Sequence, residues 1–397
     1  MESSATAPRR TSVDGGVHQA EYGVRHRPGG AACGRVACGA MSSDVTTPEL
    51  IEVRPDERFD QAALGAWLGT TLPGSDRPLT VLQFARGKAN LTYLLRFGEG
   101  PDAVEYVLRR PPLGPVAPSS HDMGREYRVL SGLWQAFPEA ARAYAYCDDP
   151  RVIGAPFFVM ERRHGVVVQN RVPEVFGGGE DPVANRKLSE VVVDTLARFH
   201  AVDPGAAGLG DLGRPDGFVE RQVHGWIGRW EKAKHEENPL ADEMAEWLVE
   251  TLPASRDVTL LHNDWRLDNM AVAADDPGKC VAVYDWDMCT RGDPLADVGT
   301  VMAVWYDAGE ESTGLDPMPT TTPGFMTRAE AIERYGERSG RDLSDVGWYV
   351  AFGTFKMAAV LQQIFIRWHN GQTRDERFAV MGEAAQRLIE LSHQRRP

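Results

Sequence analysis

The spacing of apolar and polar positions changes twice along the chain, and each change predicts a different kind of element. "LTVLQFA" (79–85), "LTYLLRF" (91–97) and "EYVLRRP" (105–111) are short runs rich in β-branched and aromatic residues. Turn signals at 87–90 and 98–101 separate them, which predicts an antiparallel meander. A short helical pattern precedes the meander near 57–69. A longer helix is expected over about 119–137, where Met123, Tyr127, Leu130, Leu133, Trp134 and Phe137 recur three and four residues apart. Two further apolar runs lie at 143–147 and 157–161. After about residue 164 the pattern is mostly helical, interrupted by strand-like runs at 258–262, 270–273 and 280–285. Residues 1–46 are rich in Gly, Ala, Ser and Arg and are expected to be a disordered tail, with Met41 as an alternative start. A strand-rich lobe (47–163) and a helix-rich lobe (164–397) predict an α+β protein with a cleft between them.

Glu126 falls inside the apolar stripe of the long helix, three residues after Met123 and four before Leu130, whereas Arg125 and Arg128 point to the opposite side. A carboxylate aimed into a core needs a cation or several donors, because an unpaired buried charge is strongly destabilising. The candidates are Arg109 and Arg110 on the third strand. Alternation puts Val107 and Arg109 on one face and Leu108 and Arg110 on the other, so one arginine alone accompanies Glu126 into the cleft. The competing reading is a rotated helix that releases Glu126 to a surface salt bridge.

Composition narrows the partners. Of 397 residues, 43 are basic and 57 acidic, a net charge of -14 that argues against nucleic acid or an anionic membrane. It is compatible with a cationic substrate or a metal-chelated anion. Cys33, Cys38, Cys147, Cys280 and Cys289 contain no CxxC pair, so neither a disulfide framework nor a zinc site is signalled and a cytoplasmic location is expected. No run approaches 18 consecutive apolar residues and no apolar segment follows Arg9 and Arg10, so no membrane span or secretory signal is expected.

"LLHNDWRLDNMAV" (260–272) sets His262, Asp264, Asp268 and Asn269 between two apolar ends, as a loop between short strands would. Sixteen residues after Asn269, past "CVAVYD", comes Asp285. Asp264 could accept a proton from an attacking hydroxyl. Asn269 and Asp285 are hard oxygen donors of the kind Mg²⁺ takes, with phosphate oxygens and water filling the other positions. For any one of these residues, a turn rich in Asp and Asn that caps neighbouring elements is the competing account.

"HNDWRLDN" (262–269) resembles the His-x-Asp-x4-Asn catalytic loop of the aminoglycoside phosphotransferase and choline kinase family, which has a protein-kinase-like fold. "YDWDMCTRGDPLADVG" (284–299) resembles that family's metal-binding segment and its Gly-Asp-Pro-x-x-Asp helix start. "RGKANLTYLLRF" (86–97), "YVLRRPP" (106–112) and "REYRVLSGL" (125–133) are similar to the nucleotide-covering hairpin, the strand with the phosphate-binding cation and the helix with its glutamate partner. The resemblance spans roughly residues 55–390. It implies a small antiparallel N-lobe sheet with one helix, a larger helical C-lobe, and ATP- and Mg²⁺-dependent phosphoryl transfer to a small-molecule hydroxyl. On this resemblance Asp264 is the base or hydroxyl-orienting residue, Asn269 and Asp285 hold the metal, and His262 braces the loop. Asp297 steadies the loop; without a loop contact it would be only a carboxylate at a helix N-terminus. Arg109 and Glu126 form the phosphate-binding pair, Asn90 and neighbouring amides cover the nucleotide, and main chain around Met160 and Glu161 faces adenine.

Three departures stand out. Arg109 occupies a position where many kinases carry lysine, and its guanidinium can bridge phosphate and Glu126. The hairpin has a single glycine, Gly87. Asn263 replaces the glycine of His-Gly-Asp, which is expected to be tolerated if its backbone angles are ordinary. For the acceptor, an acidic helix over 231–250, with Glu236, Glu237, Asp242, Glu243 and Glu246, suits an aminoglycoside, while the basic end "LIELSHQRRP" does not. "VLRRPPLGPVAPSSHDMGREYRVLSGL" (107–133) also resembles the kinase-like domain fused to some acyl-CoA dehydrogenases and its free-standing bacterial relatives, which implies a hydroxyacyl-CoA acceptor. Aromatic residues such as Trp226, Trp230, Trp305 and Phe355 could line an apolar acceptor pocket or simply fill the core. A choline- or homoserine-type kinase is a further alternative. A nucleotide-binding pseudokinase would have lost Asp264, Asn269 or Asp285, and all three are present.

Overall fold

The structure, a computed structural model, describes residues 49–69, 71–85, 90–113, 122–310, 313 and 318–397. The tail expected at 1–46, the hairpin tip with Gly87 and the first residues of the helix expected from 119 lie outside the described residues. Residues 47–397 form one compact unit.

An antiparallel six-stranded sheet is built from β1 (Leu50–Ile51), β2 (Leu79–Phe84), β3 (Leu91–Phe97), β4 (Val104–Arg110), β5 (Ala143–Cys147) and β6 (Phe157–Glu161), in the order β1-β2-β3-β4-β6-β5. The expected meander is β2 to β4, with Thr92 opposite Arg109 and Leu91 opposite Arg110. Strand alternation sorts the two faces. Tyr93, Tyr106, Leu108 and Val159 pack with Leu64 and Leu68 of α1 (Gln61–Leu68), while Val107, Phe158 and Met160 join Leu130 and Leu133 of α2 (Met123–Leu133) in the main core. Asp122 caps α2, accepting the Arg125 amide at 3.0 Å. The short helical pattern expected near 57–69 is α1, so this lobe carries, beside the one helix that the resemblance implied, α2, both α1 and the single-turn α3 (Pro150–Ile153) on the opposite face.

The second part holds α4 (Pro182–His200), α5 (Phe218–Ala233), α6 (Pro239–Glu250), α7 (Leu295–Ala303), α8 (Arg328–Ser339), α9 (Val346–His369) and α10 (Met381–Gln394). Its strands are β7 (Val166–Val167), β8 (Thr259–Leu261), β9 (Met270–Ala273), β10 (Asp276–Val283) and β11 (Thr290–Gly292). Two-residue β7 and three-residue β11 are too short to leave a periodicity in the sequence. The acidic helix expected over 231–250 is two helices. Lys234 adopts extended backbone angles after α5, and Asn238 caps α6 just before Pro239, accepting the Ala241 amide at 2.9 Å.

Helix α9 is long and apolar enough to cross a membrane, yet 67% of its most apolar 18-residue window is buried within the fold. It packs against α5, α7 and α10 as the central core helix. Its approach to α7 is close: a Cβ on Gly299 would meet the Tyr349 carbonyl, and one on Gly353 would meet the Gly299 carbonyl. Glycine at both crossings brings the α9 backbone against α7, directly behind the loop that follows β8.

Candidate functional site

Two antiparallel pairings assemble the loop. Strand β8 pairs with β11, setting Leu261 opposite Thr290, and the segment His262–Asn269 leaves from its end. Strands β9 and β10 form a hairpin with Met270 opposite Val283, and the Tyr284 amide donates to the Asn269 carbonyl at 2.8 Å. The fifteen residues between Asn269 and Asp285 are therefore mostly a hairpin that returns the chain to its starting point. Within the loop, Trp265 and Leu267 are buried anchors, and the Trp265 indole donates to the Val192 carbonyl at 3.1 Å. Asp264, Asp268 and Asn269 are half-buried, and Asp268 is held by Arg266 at 2.8 Å. Polar residues sit between apolar ends because alternate loop residues dock into the core while the others face outward.

Asp264 and Asn269 are brought together. The Asn269 Nδ2 donates at 2.9 Å both to Asp264 Oδ2 and to the Asp264 carbonyl. His262 is fully buried; its Nε2 donates to the Tyr284 carbonyl at 2.8 Å, which leaves Nδ1 to accept the Asp264 amide at 3.3 Å. The imidazole braces the loop across to β10 and offers no nitrogen to a substrate. Asp297 is buried in the first turn of α7 and accepts the main-chain amides of both His262 and Asn263 at 2.7 Å. Its role is thus a loop contact rather than helix capping alone. Behind it, His200 Nε2 donates to Asp297 Oδ2 at 3.3 Å, and the Tyr335 hydroxyl donates to His200 Nδ1 at 2.7 Å. Burial pushes the Asp297 carboxyl up, but the bonds from His200 and the His262 amide outweigh it and hold it below the usual carboxylate range.

Asn263 has a φ of 67°, in the left-handed region, so the glycine usual at this position is replaced by a residue in strained rather than ordinary backbone. Asparagine tolerates this conformation better than most residues, and its Nδ2 donates to the Met288 carbonyl at 2.9 Å. Asp285, with a φ of 65°, is also left-handed and opens a short 3-10 helix, Trp286–Met288. Two such residues, one inside the loop and one just past the hairpin that follows it, are the kind of local strain that functional sites hold.

Strand alternation decides between the two arginines. Arg109 turns inward, pairing with Glu126 and donating to Asp285 Oδ1 at 3.1 Å. Arg110 turns to the opposite face of the sheet, where it is also buried, donating to the Ile153 carbonyl at 2.9 Å beside the Phe59 ring. Glu126 is fully buried. Burial pushes its carboxyl up to about 7, with Arg109 opposing and the charges of Asp285 and Asp287 adding to the rise. Arg125, expected on the far side of α2, reaches the Cys289 carbonyl at 2.7 Å and ties the helix to the segment after Asp285.

Not every expected residue joins this cluster. Asn90 is buried at the start of β3, next to a hairpin tip that lies outside the described residues. Met160 sits within the ladder between Val107 and Ala143, and the Glu161 amide donates to the Arg142 carbonyl at 2.8 Å. Main-chain contact to a base by Glu161 could therefore come from its carbonyl alone. Trp230, Trp305 and Phe355 are core residues, and Trp305 donates to the Met326 carbonyl at 2.9 Å. Sequence reasoning missed His200 and Lys356, which belong to no motif it singled out, and gave no role to Asp287 within the 284–299 segment.

The model of the phosphotransferase enzyme family matches residues 80–341. Acyl-CoA dehydrogenase family member 11 of Gallus gallus is 32% identical over 363 residues, covering 87% of this chain and 45% of that protein. The Rattus norvegicus protein of the same name is 31% identical over 376 residues, covering 89% and 45%. The chain thus spans about 45% of the length of these curated relatives. Among solved structures, a Ralstonia eutropha protein assigned as an aminoglycoside phosphotransferase is 30% identical with a TM-score of 0.73, over 85% of this chain and 98% of that one. Choline kinase from Cryptosporidium parvum, 12% identical with a TM-score of 0.52 over 85% and 95% of the two chains, shares the fold. A family model that runs from the second strand of the sheet through the 262–269 loop and α7 to the end of α8 places this chain, with its kinase-like fold, in the phosphotransferase enzyme family.

Proposed function

We propose that the protein transfers the γ-phosphoryl group of ATP, with Mg²⁺, to a hydroxyl of a small molecule. The observation that carries this reading is the convergence of Asp264 and Asn269, 2.9 Å apart, with Asp285 held at 3.1 Å from the Arg109 that pairs with Glu126. The donor set fits Mg²⁺. Both hydrogen bonds to Asp264 use the nitrogen of Asn269, which leaves Oδ1 for a cation, and Asp285 adds a second hard oxygen. Among the described residues no group of three or more His, Cys, Asp or Glu side chains is placed to hold a metal, so phosphate and water oxygens would complete the shell. Bound Mg²⁺ would neutralise charge on the phosphates. Asp264 would orient the acceptor hydroxyl and receive its proton as the new O–P bond forms and the bond from the γ-phosphorus to the bridging oxygen breaks to release ADP, and Arg109 would hold phosphate oxygens while Glu126 fixes its direction.

For the acceptor, a hydroxyl carried on an acyl-CoA is the reading we favour over an aminoglycoside. The names of the relatives support it. So do two of the α6 carboxylates, which are already engaged: Glu243 with Arg396 at 3.0 Å and His393 at 3.2 Å, and Asp242 with Lys234 at 3.4 Å. A cytoplasmic location is part of the proposal, supported by the free, buried Cys147, Cys280 and Cys289. The test gives purified protein ATP and Mg²⁺ with panels of hydroxyacyl-CoAs, amino alcohols and aminoglycosides. Acceptor-dependent ADP release by wild type and not by Asp264→Ala is the expected result; ATP binding without turnover on any panel would overturn it.

A further inference from the structure

Lys356 lies in the middle of α9 and is only 8% exposed. A buried ammonium is expensive unless its charge is met, and no carboxylate forms an ion pair with it among the described residues. What meets it is the catalytic loop. Its Nζ donates to the Asn263 carbonyl at 3.2 Å and lies 3.5 Å from Thr300 Oγ1, whose own hydrogen goes to the Ala296 carbonyl. The groups facing it are Asp297 and Thr300 from α7, Asp264 and the Asn263 carbonyl from the loop, and Trp226 and Arg229 from α5. Burial pushes the ammonium below the usual lysine range, against the pull of Asp297 and Asp264.

This contact completes a grip on one residue. Asn263 is in left-handed backbone; Asp297 holds its amide and that of His262, and Lys356 holds its carbonyl. That carbonyl belongs to the peptide unit that leads into Asp264. The reach depends on the close crossing of α7 and α9 at Gly299 and Gly353, since Lys356 lies one turn beyond Gly353 on the same helix.

We propose that Lys356 is a positioning residue for phosphoryl transfer: with Asp297 it clamps the left-handed peptide at Asn263 and so sets the direction in which Asp264 meets the acceptor hydroxyl. The proposal rests on the kinase reading above. A lysine there has a second consequence, because its grip depends on its charge and weakens as the ammonium deprotonates.

The test compares wild type, Lys356→Met and Lys356→Arg, with thermal unfolding run first. Hydrogen exchange is followed on peptides covering 260–269 and on control peptides from the six-stranded sheet. In Lys356→Met the loop peptides are expected to exchange about fivefold faster with the sheet unchanged. In the ADP-release assay, kcat falls about 10- to 100-fold while KM for ATP stays within about twofold. Lys356→Arg restores most of kcat and moves the alkaline limb of the kcat profile to higher pH, as an always-charged guanidinium should. Unchanged loop exchange in Lys356→Met overturns the clamp. So does faster exchange spread evenly over loop and sheet, which marks a packing defect, or an alkaline limb that Lys356→Arg leaves in place. If wild type shows no acceptor-dependent turnover, the kinase reading fails, while the exchange comparison still decides whether Lys356 holds the loop.

Discussion

Asn269 spends a single nitrogen on Asp264, donating at 2.9 Å to its side chain and at 2.9 Å to its carbonyl. A carboxamide has two ends, and committing the NH₂ end to one residue turns the oxygen away from it. The same side chain therefore holds the proposed base and leaves its oxygen for the proposed metal. Asn269→Asp keeps the oxygen but loses both donors and sets one carboxylate against another. We expect kcat to fall at least ~100-fold and the Mg²⁺ concentration for half-maximal rate to change. Steady-state ADP release across a Mg²⁺ titration checks it; a rate within twofold of wild type would remove Asn269 from the site.

The left-handed backbone at Asn263 predicts a ranking of substitutions. Glycine accepts a φ of 67° without strain and loses only the bond to the Met288 carbonyl. Valine must adopt a conformation that costs roughly 1–2 kcal/mol or distort the peptide before Asp264. Activity is expected in the order Asn263, then Gly, then Val, with Asn263→Val down by ~10-fold or more. Equal kcat for Gly and Val would contradict the geometry.

Glu126 makes stability pH-dependent in a definite direction. Its carboxyl is raised from 4.5 in the open chain to about 7 in the fold. Below pH 4.5 it is protonated in both states and its contribution is complete; as the pH climbs through 7, the unfolded chain gives up this proton first and the contribution is lost. The size is on the order of 3 kcal/mol. In protein without added Mg²⁺ or nucleotide, urea unfolding of wild type should lose stability between those pH values relative to Glu126→Gln. Parallel profiles would show that Glu126 stays ionised throughout.

Behind Asp297 the titration runs the opposite way. Burial holds His200 below its ordinary range. The stability tied to its neutral form is therefore present above pH 6.5 and lost as the pH falls through the lowered value. Tyr335→Phe removes the 2.7 Å donor to His200 Nδ1 and is expected to destabilise the fold by about 1–3 kcal/mol. It should also slow turnover, because Asp297 and through it the His262 and Asn263 amides lose their backing. Thermal unfolding and kcat measured together test the chain of contacts: a stable Tyr335→Phe with wild-type kcat would break it.

Much of this was legible in the residues alone. Strand alternation required that Arg109 and Arg110 face opposite ways, which follows from backbone geometry that holds before any packing is known; the three-and-four spacing placed Glu126 in the apolar stripe, and the packing of α2 decided against a surface salt bridge. The loop was legible because phosphoryl transfer needs a few oxygen-bearing side chains at fixed spacing. Other features depend on contacts between segments far apart in the chain. The φ of Asn263 is imposed by Asp297, 34 residues later, and the role of Lys356 by a crossing of α7 and α9 at two glycines. In sequence, Lys356 is a lone lysine in an apolar helix and His200 an ordinary helix end. The chain's local periods determined the elements and which side of each faces inward. Which buried cation meets which carbonyl was decided only when two helices without side chains at their crossing came close enough to put it there.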